Sequence, residues 1–195
     1  MDKPAIPKNE QLEALRKVIE DLRVEAAEAR ANPEGNALLQ RARAIAGHFL
    51  GVSARSRAEI VRRLQKADCS EETIQAVVAE LEAKGWLDDQ QFAHAWVADR
   101  ADRKRYGRRR LSAELNRKGI EKTTIEEAVG EIDAESELRR ALEAAGPKWR
   151  LKPGDDIDSQ KLQAEKRRLA GFLQRRGFGW DIITQVLSAL TSNGD

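Results

Sequence analysis

The sequence predicts an all-α protein: three tandem three-helix repeats forming an elongated, curved module, preceded by an N-terminal helical extension. Three observations carry that prediction. Between residues 38 and 190 the apolar side chains recur at helical spacing, without the alternation of a half-buried strand. Only five prolines occur, three of them within the first 33 residues. And the apolar pattern repeats in a fixed phase, which a single amphipathic helix does not do.

The repeat is legible residue by residue. Ile60, Leu64 and Cys69 return 51 residues later as Leu111, Leu115 and Ile120, and a further 58 residues on as Leu169, Leu173 and Phe178. The next helix obeys the same shifts. Ile74, Val77, Val78 and Leu81 become Ile125, Ala128, Val129 and Ile132, then Ile183, Val186, Leu187 and Leu190. The resulting division is an extension over residues 1–36, then repeats over 37–86, 87–134 and 135–195. The third repeat carries a Pro/Gly-containing insert near 146–159. A unit of this size is marginal alone, so the units are expected to stack.

Taken in chain order, each element has its own signals. In the extension, Leu12, Leu15, Ile19, Leu22 and Ala26 form an amphipathic stripe flanked by Glu20, Asp21 and Arg23. That stripe suits a helix docked on the bundle, or alternatively a coiled-coil contact. The first repeat has a leading helix with Ile45, Phe49 and Leu50. Its middle helix opens with the capping box Ser56-Arg57-Ala58-Glu59, and its closing helix starts at Ser70, with Glu71 and Glu72 facing the helix dipole. Cys69, between them, reads as a small core residue. Asp88-Asp89-Gln90-Gln91 starts the second leading helix, which carries Phe92, Ala93, Trp96 and Val97. Thr123-Thr124-Ile125-Glu126 reads as the capping box of the second closing helix. In the third repeat, Leu138, Ala141 and Leu142 lead, and Gly146-Pro147 and Pro153-Gly154-Asp155-Asp156 lengthen the link that follows. Gly85, Gly119 and Gly177 mark helix ends that need a left-handed residue. Phe49, Trp86, Phe92, Trp96, Phe172 and Phe178 are assigned to the core; Tyr106, between Arg105 and Gly107, is the aromatic placed to touch a ligand.

Composition removes several function classes. With 35 Lys and Arg against 33 Asp and Glu, a net charge of +2 and 41% hydrophobic residues, the chain is neither a charged tail nor globally disordered. No apolar run reaches the roughly 18–20 residues of a membrane span. The N-terminus lacks a hydrophobic signal core, and the lone Cys69 excludes an intrachain disulfide, so a cytoplasmic setting is expected. One Cys with the distant His48 and His94 cannot form a Cys/His zinc site. There is no Gly-x-x-x-x-Gly-Lys-Ser/Thr loop, Gly-x-Ser-x-Gly elbow or His-Glu-x-x-His helix. Asp88-Asp89 is the one suggestive carboxylate pair, and an N-cap explains it. The expectation is therefore a monomeric binding module with no catalytic residue, metal or cofactor.

Charge placement says more than net charge. The stretch from Arg55 to Lys66 has five basic residues against Glu59, and that from Lys161 to Arg176 has six against Glu165. Between Arg100 and Arg110 there are seven against Asp102. The closing helices reverse the sign, with six acids from Glu71 to Asp89 and seven from Glu121 to Glu137. A solvated helix face with surface ion pairs is one reading, and such pairs are worth only about 0–1 kcal/mol each. The other is a basic stripe that meets phosphates or an acidic protein surface, since so dense a cluster repels itself without an anion. On the second reading the partner- and DNA-binding residues are Arg62, Arg63, Lys66, Arg100, Arg103, Lys104, Arg105, Arg108, Arg109, Arg110, Arg117 and Lys118.

Gly85-Trp86-Leu87-Asp88-Asp89-x-x-Phe92-Ala93, then Gly107, then Glu114-Leu115-x-x-Lys118-Gly119-Ile120, resembles the central signature of the RecX regulatory proteins. Ser56-x-x-Glu59-Ile60-x-x-x-Leu64 is similar to the entry of that family's first repeat. The resemblance spans roughly residues 38–190, and it marks Asp88, Asp89, Phe92, Ala93, Gly107 and Gly119 as structural signature positions. It implies a three-repeat modulator of the RecA recombinase without catalysis of its own. Such a protein binds along the groove of the RecA–DNA filament and suppresses ATPase, strand exchange and filament extension in recombination and the SOS response. The alternative is a sequence-nonspecific or helix-turn-helix-like DNA-binding regulator, which basic second helices in trihelical units also suit. Two features depart from the family pattern. Ala67-Asp68-Cys69 replaces a Gly-containing turn, so that turn is expected to differ in shape, and the Pro147–Gly154 link is long.

Overall fold

A computed structural model of the chain describes residues 32–151 and 158–192, together with Arg16 and Arg23. The extension's apolar stripe and residues 152–157 of the insert lie outside the described residues. Those described form nine α-helices and no strand. The first repeat comprises α1 (Pro33–Val52), α2 (Arg57–Gln65) and α3 (Glu71–Ala83). The second comprises α4 (Asp89–Lys104), α5 (Arg108–Lys118) and α6 (Lys122–Gly130). The third comprises α7 (Ala134–Ala145), a 3₁₀ turn (Gly146–Lys148), α8 (Ser159–Arg175) and α9 (Trp180–Ser192).

Each repeat buries its own core. Ile60 and Leu64, Leu111 and Leu115, and Leu169 and Leu173 are fully buried at equivalent places in the three middle helices. Each middle helix packs against the closing-helix stripe of its own unit. In the leading helices the closest packing falls to alanines. Ala46, Ala93 and Ala141 are all fully buried, while Ile45, Phe49 and Leu50 sit at the margin of the first core. A methyl lets the helix axes approach where a longer side chain would hold them apart.

Most helix starts follow the sequence. Ser56 forms a complete capping box with Glu59, Ser70 accepts from the Thr73 amide, and Asp88 accepts from Gln91. Three expectations fail. The second closing helix starts at Lys122 with Glu121 as its N-cap and no side-chain cap, so Thr123-Thr124-Ile125-Glu126 is not a capping box. Trp86 is 63% exposed rather than core, because left-handed Gly85 turns the chain and sends Leu87 inward instead. The Lys84 ammonium lies 5.2 Å from the Trp86 ring. The third concerns the turn at Asp68, which has the shape of the equivalent turns in the other two repeats despite lacking Gly: Asp68 adopts φ 58°, beside φ 80° at Gly119 and φ 87° at Gly177. Asp tolerates this region better than most residues, and so it substitutes for glycine.

The repeats join through the ends of their middle helices. The C-terminal end of α5 abuts the N-terminal end of α2: the Ser56 hydroxyl donates to the Lys118 carbonyl at 2.7 Å, and the Lys118 ammonium reaches Glu59 at 2.9 Å. A Cβ on Gly119 would overlap the Ala58 methyl. The end of α8 abuts the start of α5 in the same way. The Gly107 amide donates to the Arg176 carbonyl at 2.9 Å, and the Arg109 amide to the Gly177 carbonyl at 3.1 Å. At this joint free carbonyls of α8 satisfy free amides at the start of α5, and at both joints opposite dipole ends meet. This explains why α5 has a glycine N-cap and no side-chain cap. A Cβ on Gly107 would collide with the Gly177 backbone.

A second contact recurs at both joints. The Asp89 carboxylate accepts from the Arg57 amide at 2.7 Å, and the Glu137 carboxylate accepts from the Arg108 amide at 3.0 Å. Arg57 and Arg108 hold the same position at the start of their middle helices. Each acid comes from the leading helix of the following repeat, so the signature residue Asp89 is a latch between units as well as a neighbour of the N-cap.

Candidate functional site

The second repeat opens a cleft of about 590 Å³ between α4 and α5, lined by Trp96, Arg100, Lys104, Tyr106, Glu114, Arg117 and Lys118. Helical spacing assembles it. Trp96, Arg100 and Lys104 follow at intervals of four on α4, while Glu114, Arg117 and Lys118 share a face of α5. Four cations therefore line one concave surface around a single carboxylate.

The aromatic floor is already engaged. The Arg100 guanidinium lies 4.1 Å from the Trp96 ring centroid, and the Lys118 ammonium lies 4.3 Å from it. Arg110 covers Tyr106 at 4.0 Å. Cations held over ring faces leave little room for a stacked base, so the cleft offers charge rather than a stacking platform. Tyr106 is half-buried at the joint with the third repeat, where Arg176 also approaches its ring at 6.0 Å.

Glu114 is the carboxylate these cations face. Its carboxylate accepts from the Trp96 indole at 3.2 Å and from Arg110 Nε at 3.3 Å. Arg100 Nε and Arg117 Nη2 stand 3.8 and 4.0 Å away. The Arg100–Arg110 cluster thus does not stand without an anion: the fold supplies Glu114, Asp99, Glu137 and Glu143 as internal partners.

The basic residues named from the sequence divide into groups. Arg100, Lys104, Arg117 and Lys118 line the cleft, while Arg103, exposed on α4, pairs with Asp99 at 3.0 Å. Arg62 adjoins the far end, its guanidinium 3.4 Å from the Lys118 carbonyl. Arg63, Lys66 and Arg109 are exposed and meet no carboxylate among the described residues. The remaining three face the third repeat instead. Arg105 pairs with Glu143 at 3.0 Å, and Arg108 with Glu137 at 3.2 Å. Arg110 donates to the Arg175 carbonyl at 3.1 Å. Of the signature residues, Asp88 and Asp89 cap helix starts, Phe92 and Ala93 are core, and Gly107 and Gly119 permit the helix-end joints.

Trp96 packs against the second core as the sequence predicts, stacked on Phe92 at 5.8 Å, and lines the cleft as well; the sequence assigns Glu114 no part in binding. The spacing of Glu114, four residues after Arg110 and three before Arg117, was the available signal. The approach of Arg176, 70 residues from Tyr106, had no local signal. Among the described residues no three His, Cys, Asp or Glu side chains converge to hold a metal, and no helix is long and apolar enough to cross a membrane.

Comparison with known proteins matches these units one by one. The family models for the first, second and third three-helix domains of RecX match residues 42–81, 88–129 and 135–187. The chain is 36% identical to the regulatory protein RecX of Mycolicibacterium vanbaalenii over 155 residues, covering 79% of this chain and 84% of that protein. It is 34% identical to RecX of Streptomyces coelicolor over 158 residues, covering 80% and 81%. The crystal structure of RecX from Lactobacillus salivarius shares the fold with a TM-score of 0.71 at 18% identity, over 80% of this chain and 98% of that one.

Proposed function

Since the chain belongs to the RecX family of regulatory proteins, we propose that it is a non-enzymatic regulator that binds the RecA–DNA filament. There it inhibits ATP hydrolysis, strand exchange and filament extension. The observation that carries this reading is the ordered match of all three RecX domains across residues 42–187.

The charge distribution supplies a physical route. The cleft between α4 and α5, with Arg63, Lys66 and Arg109 beyond it, offers phosphates a cationic surface without base-reading side chains. The acidic faces of α3 and α6 point to basic protein surfaces. Three rigidly joined units can engage successive protomers of a filament, and each contact raises the effective concentration for the next.

The test is to add the purified chain, well below stoichiometric amounts, to RecA assembled on single-stranded DNA. ATP hydrolysis and strand exchange should both fall. Unchanged rates across a range of salt concentrations would refute the proposal.

A further inference from the structure

We infer that Glu114 is a built-in counter-anion: its carboxylate occupies the seat of a backbone phosphate in the cleft between α4 and α5, and so limits how tightly that cleft holds nucleic acid. The inference rests on the reading that this cleft meets phosphates, and adds to it the residue that sets the strength of the contact.

Three features of the geometry lead there. First, Glu114 is the one carboxylate among the cleft's lining residues, facing Arg100, Lys104, Arg117 and Lys118. Second, it is inset. Its side chain is 13% exposed, whereas that of Arg117 beside it is 71% exposed. A carboxylate and a pair of phosphate oxygens present the same acceptor pattern to a guanidinium, so Glu114, bonded to Arg110 and 3.8 and 4.0 Å from Arg100 and Arg117, offsets the charge a phosphate would otherwise meet.

Third, the cations do not depend on Glu114 for position. Arg100 and Lys118 rest over Trp96 and Arg110 rests over Tyr106, at 4.1, 4.3 and 4.0 Å from the ring centroids. Neutralising Glu114 therefore leaves these groups in place and removes the negative charge beside Arg100, Arg110 and Arg117, while Lys118 stays paired with Glu59 and Arg100 with Asp99. A site with fixed donors and one internal anion fewer binds phosphate more tightly, because less charge must be displaced before binding. The carboxylate keeps the contact weak and reversible, which suits a regulator that must leave the filament.

The experiment measures binding of a fluorescently labelled oligo-dT strand by the full chain carrying Glu114→Gln, Arg117→Gln or Glu72→Gln. Glu72 is an exposed acid on α3 and controls for net charge. Glu114→Gln should bind about tenfold more tightly at low salt, with the slope of log affinity against log salt steeper by about 0.7, one further phosphate contact. Glu72→Gln should match the wild type, and Arg117→Gln should bind more weakly. If folded Glu114→Gln binds no more tightly than wild type, or if Glu72→Gln tightens binding equally, the inference is overturned. If Arg117→Gln binds as well as wild type, the cleft is not the phosphate surface, and the underlying reading fails separately. A measurement on the unaltered protein covers the case in which Glu114→Gln does not fold. The Trp96 indole N–H resonance, identified by its loss in Trp96→Phe, should shift on addition of oligo-dT as the arginines leave Glu114. A bound complex with that resonance unmoved would also overturn the inference.

Discussion

Asp68, Gly119 and Gly177 end the three middle helices in the same left-handed conformation, yet they differ in what a side chain meets there. Asp68 is exposed, so replacing it with Gly relieves strain at no packing cost. Asp68→Gly should stabilise the protein by about 0.5 kcal/mol in urea denaturation. Gly119→Ala should cost more than about 2 kcal/mol, because strained φ adds to a collision with Ala58. Titration at the same joint is equally specific. Burial raises the Glu59 carboxyl, but the Lys118 ammonium, the Ser56 amide and Arg55 outweigh it and hold the group below the ordinary value of about 4.5. A lowered folded pKa gives stability that is present above the ordinary value and lost as pH falls through the folded one. Thermal melts between pH 6 and 3 should therefore show an acid-side loss of stability that Glu59→Gln reduces. Asp89 moves the other way, since burial raises its carboxyl. Its ionisation opposes folding as pH rises through and beyond the usual aspartate range, so Asp89→Asn, which keeps an acceptor for the Arg57 amide, should not lower stability at pH 7.

Helices in this chain finish one another. Ser56 is fully buried, caps α2 through the Glu59 amide and also donates to the last carbonyl of α5. Ser56→Ala should cost about 2 kcal/mol in urea denaturation, because it removes the cap together with the shorter of the two donors to the Lys118 carbonyl, leaving the Arg62 guanidinium at 3.4 Å. The third repeat uses a side chain for a comparable task. Glu165, buried on α8, accepts from the Arg150 amide at 2.8 Å and pairs with Arg168, which itself donates to the Lys148 carbonyl. Arg168 foremost holds the Glu165 carboxyl below its ordinary value. That carboxylate anchors the chain where it leaves the 3₁₀ turn.

At the scale of the whole molecule, the basic residues serve two ends. The side chains of Arg105, Arg108 and Arg110 fasten the second repeat to the third, whereas those of Arg109 and Arg117 make no bond across that joint. Reversing the Arg108–Arg110 run would mix loss of binding with loss of the joint. Arg109→Glu with Arg117→Gln is the cleaner change, since a carboxylate at 117 would face the inset Glu114. It should weaken binding to DNA and filament, flatten the salt dependence, and shift stability by no more than about 0.5 kcal/mol. Arg108→Glu should instead lower the melting temperature by several degrees, since it places a carboxylate against buried Glu137.

The sequence by itself determined the helices, their number per unit, the threefold phase of the core and the family. Each of these rests on local periodicity or on a cap within four residues, and Leu64, Leu115 and Leu173 occupy the places the phase assigns them. It also named all four of the cleft's cations, because charge is visible in one letter. Only the tertiary structure decided which cations are already spent. Whether an arginine meets solvent or a carboxylate depends on helices that lie far apart in the chain: Arg105 finds Glu143, Lys118 finds Glu59, and Ser56 finds the end of α5 62 residues away. Periodicity tells which face of a helix is buried. It cannot tell which helix end will stop against which, and here those contacts separate the residues that hold the repeats together from the ones left to bind.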